Sequence, residues 1–121
     1  MTEAVATLLK RNLHEVFAER DADRRRAAIT ELFAPDCVFS SPHGRHVGPD
    51  ALNRAIVELQ ARLPDHVFSE FGVVQTLQDA GRLAWAFGPP ADPSRITGLD
   101  LIVLRDDRIG ALYTFLDPSP P

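Results

Sequence analysis

One cysteine in 121 residues leaves Cys37 without an internal partner, so a disulfide within the chain is excluded. Cys37 stands between Asp36 and Val38 at an expected strand start, with no histidine beside it in sequence. A buried structural thiol is therefore the expected role, not a nucleophile. Positive charge is not in excess either: 13 Lys and Arg against 17 Asp and Glu give a net charge of -4. That balance lacks the basic face that nucleic acid would require. The triplet Arg24, Arg25, Arg26 is short, is interleaved with acids and reads as a solvated helix face. No apolar run approaches about 20 residues, so no membrane span is expected. No apolar segment follows a basic start, so a signal peptide is not expected, and the cytoplasm is the default compartment. The sequence contains no Gly-rich phosphate loop, no Ser-centred nucleophile elbow and no dinucleotide-binding signature, and no cofactor is expected.

What is present is a 45% hydrophobic chain, enough for a core at this length. One domain over residues 1–117 is expected, with a frayed tail at 118–121 and no repeat or linker. Val5, Leu8, Leu9, Leu13, Val16 and Phe17 recur at helical spacing and predict a helix over residues 2–19. Asn12 falls inside that stripe. It is either a core amide bonded to backbone or a pocket-lining group. His14 falls on the opposite, solvated side. Asp23 is the expected N-cap of a second helix ending near Phe33. A short strand over 37–41, a turn at Pro42, His43, Gly44 and Arg45, and a pairing segment at His46 and Val47 follow. Gly48-Pro49-Asp50 is a helix start, and the third helix runs to Pro64, burying Leu52, Ala55, Ile56, Leu59 and Leu63. His66, beside Asp65 in a turn, reads as surface.

The remainder reads as strand. Residues 67–77 form one long segment with Val67, Phe71, Val73 and Leu77 on one face. Residues 82–87 place Leu83, Trp85 and Phe87 together against small Ala84 and Ala86. Residues 98–104 form a buried strand, and the turn Arg105-Asp106-Asp107-Arg108 leads into its hairpin partner, 109–116. Three helices, an early strand pair and four antiparallel strands make an α+β fold: helices on one face of a strongly curved, mixed or antiparallel sheet of about six strands, cone-shaped. The mouth of such a cone suits a small molecule.

Asp100 does not belong in its strand. A carboxylate there is partnered or holds its proton. It shares a face with Ile102 and Leu104, and an adjacent strand can bring Trp85 onto the same face. An indole wall beside a desolvated acid suits an aromatic or polycyclic ligand with a carbonyl. The competing role is a structural salt bridge to Arg82, Arg95 or Arg45. His43 and His46 alone do not make a metal set, and no metal is expected. Tyr113 and Phe115 lie on one face of the last strand, with Leu112, Thr114 and Leu116 on the other. Two apolar faces lead to an expected homodimer through the sheet.

The run from Leu32 through Phe33, Ala34, Pro35, Asp36, Cys37 and Val38 to Phe39, then Ser41-Pro42-His43-Gly44 and Gly48-Pro49-Asp50-Ala51-Leu52, resembles the SnoaL-like branch of the nuclear transport factor 2-like superfamily. Gly98-Leu99-Asp100 and Asp107-Arg108-Ile109 agree with it. The resemblance implies the cone fold, a scaffold shared by isomerases, cyclases, hydrolases and non-enzymes. In ketosteroid isomerase the general base precedes the proline after the first strand; here that position is Ser41. Its protonated oxyanion-hole Asp corresponds to Asp100, and its helix-1 Tyr falls near Asn12 or Leu13. In SnoaL-like cyclases a strand Asp is a single acid/base, again pointing to Asp100. Limonene epoxide hydrolases carry Arg two residues before the strand Asp, where this chain has Gly98. Asp100 is therefore the candidate catalytic residue, with Asn12, Phe39, Ser41, His43, Ile56, Trp85, Leu112 and Leu116 as candidate ligand contacts. The implied function is cofactor-independent acid/base chemistry on a small hydrophobic carbonyl compound. The alternative is a non-catalytic binding domain or a dimeric scaffold.

Overall fold

The computed structural model describes residues 2–118; the rest of the expected tail, 119–121, lies outside them. Helix α1 (Thr2–Arg11) passes without a break into a π-helical turn, Asn12–Phe17. Helix α2 (Ala22–Leu32) runs directly into β1 (Phe33–Ser41), which pairs with β2 (Gly44–Val47); α3 (Pro49–Arg62) follows. The sheet is completed by β3 (Val67–Glu70), β4 (Gln75–Leu77), β5 (Ala80–Gly88), β6 (Ile96–Arg105) and β7 (Arg108–Leu116).

The sheet is mixed and open, in the order β2-β1-β7-β6-β5-β3, with β4 also on β5. Only β1 and β7 run parallel; every other pair is antiparallel. The three helices bury their apolar stripes on one sheet face. Val5, Leu9, Leu13, Ile29, Leu32, Leu52 and Ile56 meet Phe33, Leu83, Ile102, Ile109 and Leu112 there, each at most 2% exposed. Cys37 is buried in this core, and burial raises its thiol pKa.

Several local expectations give way. The expected strand over 67–77 divides into β3 and β4, so the sheet has seven strands. The apolar face read there is solvent-exposed at Val67, Phe71, Val73 and Leu77. The N-cap of α2 is Asp21, whose carboxylate accepts from the Arg24 backbone N–H at 2.9 Å, not Asp23. The strand expected over 37–41 begins earlier, at Phe33, directly after α2. It passes through Pro35 with a register shift between Phe33 and Val38, as a residue without an N–H requires.

Two polar residues read as surface are core. Arg25 is 3% exposed: its Nε donates to Asn53 Oδ1 at 2.7 Å and its Nη1 to the Glu19 carbonyl at 2.8 Å. Gln60 Nε2 donates to the Phe17 and Glu19 carbonyls beside it. The Arg25 guanidinium and the Gln60 amide thus satisfy the Phe17 and Glu19 carbonyls just after the first helix and tie them to α3. His66 is 4% exposed, with its ring 5.1 Å from that of Phe87.

The β6–β7 hairpin closes with Asp106 and Asp107 at φ of 52° and 66°, the left-handed pair that a two-residue turn of this twist needs. A bulge follows, between the pairs Val103–Ala111 and Leu104–Ile109. An unbroken ladder from this turn would set Tyr113 opposite Asp100. The extra residue brings Thr114 there instead, and with it a different sheet face.

Candidate functional site

The centre of the site is built by three neighbouring strands. Leu83 of β5, Asp100 of β6 and Thr114 of β7 lie in one row across the sheet, and Trp85, Gly98 and Leu116 form the next. The Trp85 indole crosses β6 over Gly98. A Cβ at residue 98 would stand 2.8 Å from Trp85 Cζ2 and collide with the Phe115 carbonyl, so only glycine leaves this path open. The ring then reaches along the strand, and its Nε1 donates to Asp100 Oδ1 at 3.0 Å. The Thr114 hydroxyl donates to the same oxygen at 2.8 Å.

Asp100 is 6% exposed. Burial pushes its pKa up to about 6, against the two hydrogen bonds, which favour the anion. Among the described residues no guanidinium pairs with it. Arg82 donates to Gln75 and Arg95 to Asp92, and Arg45 lies in β2 with no bond to Asp100. No donor among these residues reaches Oδ2. Only the Asn12 amide is both sealed and without a partner, so Oδ2 is not sealed. One oxygen of the acid is held by the protein; the other has no donor among the described residues, and the residue borders a cavity.

That cavity has a volume of about 670 Å³, and Asp100 is part of its wall. Its interior is aromatic: Phe17, Phe39, Phe68, Trp85 and Phe87 contribute, with Phe68 centred 5.6 Å from Trp85 and 6.1 Å from Phe17. The polar wall residues His43, Glu58 and Arg62 are exposed, and His46 is half-buried with its ring 5.7 Å from Phe39.

Of the candidate contacts, Phe39, Ser41, His43, Trp85 and Leu116 line this space with Asp100. Asn12, Ile56 and Leu112 do not. All three are 0% exposed. Ile56 and Leu112 belong to the packed core, deeper than the cavity. Asn12 opens the π-helical turn, and neither atom of its amide has a partner among the described residues. Sequence reasoning missed Phe17, Phe68, Phe87 and Thr114. Thr114 shares the face read for Leu112 and Leu116, but its pairing with Asp100 depends on the bulge. Phe68 and Phe87 meet as cross-strand partners of β3 and β5, and Phe17 reaches them from the π-helical turn, contacts that periodicity within one segment cannot reveal. Among the described residues no group of three or more His, Cys, Asp or Glu could hold a metal, and no helix is long and apolar enough to cross a membrane.

Solved structures of the same fold include an Agrobacterium tumefaciens protein of the SnoaL-like family assigned as an isomerase. It is 23% identical with a TM-score of 0.88, over 98% of this chain and 100% of that one. A Sinorhizobium meliloti protein assigned as a polyketide cyclase is 19% identical with a TM-score of 0.74, over 94% and 98%. A Kribbella flavida protein assigned as a ketosteroid isomerase is 16% identical with a TM-score of 0.76, over 98% and 83%. At these identities the likeness is one of fold, α+β. No curated protein matches. The SnoaL-like domain model matches residues 11–111, most of the length over which the helices, the sheet and Asp100 are laid out, and the chain belongs to that family.

Proposed function

We propose that the protein binds a small hydrophobic carbonyl compound and moves a proton on it, isomerase- or cyclase-like, with Asp100 as the single acid/base and no cofactor. The observation that carries this reading is the divided carboxyl group on the wall of an aromatic cavity: Oδ1 fixed by Trp85 and Thr114, Oδ2 without a donor among the described residues. A pKa near 6 lets the group hold or release a proton near neutral pH. In the proposed step Oδ2 takes a proton α to the carbonyl, the C–H electron pair becomes the enolate, and the same oxygen returns the proton. Phe39, Ser41, His43 and Leu116 are the proposed contacts for the body of the molecule. The cytoplasm is the proposed compartment.

α-Proton exchange tests this. In D₂O, a panel of cyclic and aromatic ketones followed by NMR should lose α-hydrogen signal with the wild type, and Asp100→Asn should slow that loss at least about 100-fold. Equal exchange with the variant overturns the reading.

A second reading is a non-catalytic binding or dimeric accessory domain. It is favoured by Ser41, which stands where a second catalytic carboxylate would be placed. We also propose a homodimer through the outer sheet face, where Tyr113 and Phe115 are 41% and 54% exposed beside half-buried Leu99 and Leu101.

A further inference from the structure

The same cavity has the features of a cation site. Asp100 Oδ1 is saturated by two donors, Oδ2 has none, and no cationic side chain among the described residues pairs with the acid. The charged or titratable groups on the wall are Glu58 and Arg62 of α3, with His43 and His46 of the β1–β2 hairpin, and none bonds to Asp100. A carboxylate enclosed without a counter-ion is costly, and a cation arriving in the low-dielectric space repays that cost most effectively.

The surroundings favour a particular kind of cation. Phe39 is centred 5.6 Å from Phe17, Phe17 6.1 Å from Phe68, and Phe68 5.6 Å from Trp85 and 4.0 Å from Phe87. This continuous run of rings offers apolar area to a hydrocarbon. Among the described residues no group of three or more His, Cys, Asp or Glu offers a metal ion a ligand set there.

We propose that the cavity binds a hydrophobic amine in its protonated form, the ammonium donating to Asp100 Oδ2 and the hydrocarbon body lying against Phe17, Phe39, Phe68, Trp85 and Phe87. The site is that of the proposed function, but the amine needs no turnover. Amine and ketone compete for one oxygen. The amine uses the ionised acid, the prevailing form at pH 7.5 for a group titrating near 6. The ketone of the proposed function meets the same ionised oxygen with its α C–H, a much weaker contact than an ammonium makes.

Calorimetric titration at pH 7.5 with 1-naphthylmethylamine and its neutral isostere 1-naphthylmethanol tests the assignment. The wild type is expected to bind the amine at least about tenfold more tightly than the alcohol, as a charge-assisted bond in an enclosed site requires. In Asp100→Asn the two should fall within about threefold of each other. Equal affinities for wild type, a preference for the alcohol, no amine binding at millimolar concentration, or an amine preference that survives Asp100→Asn each overturn it. The wild-type comparison stands whether or not the variant folds. Loss of amine preference with α-exchange intact removes this proposal alone, and amine binding without exchange removes the proton-transfer reading alone.

Discussion

Trp85 reaches across a strand to hold Asp100: its indole lies over Gly98, and its Nε1 meets Oδ1 of the acid at 3.0 Å. The anion is favoured by this bond and disfavoured by burial, and burial wins. Trp85→Phe keeps the ring area and removes the N–H. It should raise the Asp100 pKa above the wild-type value, read by carboxyl ¹³C NMR. A lower or unchanged pKa contradicts the role given to the indole.

Gly98→Ala should damage the same pair by another route. Its Cβ meets the indole and the Phe115 carbonyl, neither of which is a free side-chain end. A loss of about 2 kcal/mol or more in urea unfolding is expected, as for overpacking in a well-filled interior. A neutral effect contradicts the crossing geometry.

Asp100 also sets a pH dependence of stability. The folded-state pKa of about 6 lies above the ordinary 3.8. Between these values the folded protein holds a proton that the unfolded chain has released, so stability from this group is full below about pH 4 and is lost as pH rises through 6. The gap of about two pH units corresponds to about 3 kcal/mol. Glu15, Asp65 and Glu70 act oppositely, held low first by Arg11, His66 and His14. The difference between wild type and Asp100→Asn cancels them. The variant should gain about 3 kcal/mol relative to wild type between pH 4 and pH 7.5, and a constant difference contradicts the buried charge.

Arg25 is a structural cation. Arg25→Ala leaves Asn53 Oδ1 and the Glu19 carbonyl without their charged donor and should cost about 3 kcal/mol in urea unfolding. Arg25→Lys should not restore it, since one ammonium cannot reproduce the fork of Nε and Nη1. Full rescue by Lys contradicts this account.

The sheet face gives a prediction about assembly. Sedimentation of the wild type should report a dimer, and Phe115→Glu should shift it to monomer, because a charge is then placed in the proposed apolar contact. A monomeric wild type removes the homodimer.

How far the sequence reaches depends on range. The stripe from Val5 to Phe17, the glycine start at Gly48 and the Asp106–Asp107 turn are local, and each produced its element. The face shared by Asp100 and Ile102 followed from strand alternation alone. What escaped depends on tertiary context. The π-helical turn at Asn12–Phe17 carries the same apolar spacing as the helix before it. Arg25 reads as surface until α3 supplies Asn53 and Gln60. Ile56 and Leu112 sit on inward faces, but inward residues divide between packed core and cavity wall, and tertiary packing decides which.

The central claim is that one buried acid, touching one indole, titrates near neutrality inside the cavity. Trp85 is the only tryptophan, so its fluorescence reports on that acid directly. Titrated from pH 4 to 8, the wild-type emission should show a transition centred near pH 6 that Asp100→Asn abolishes. A transition that persists in the variant, or none at all in the wild type, contradicts the account.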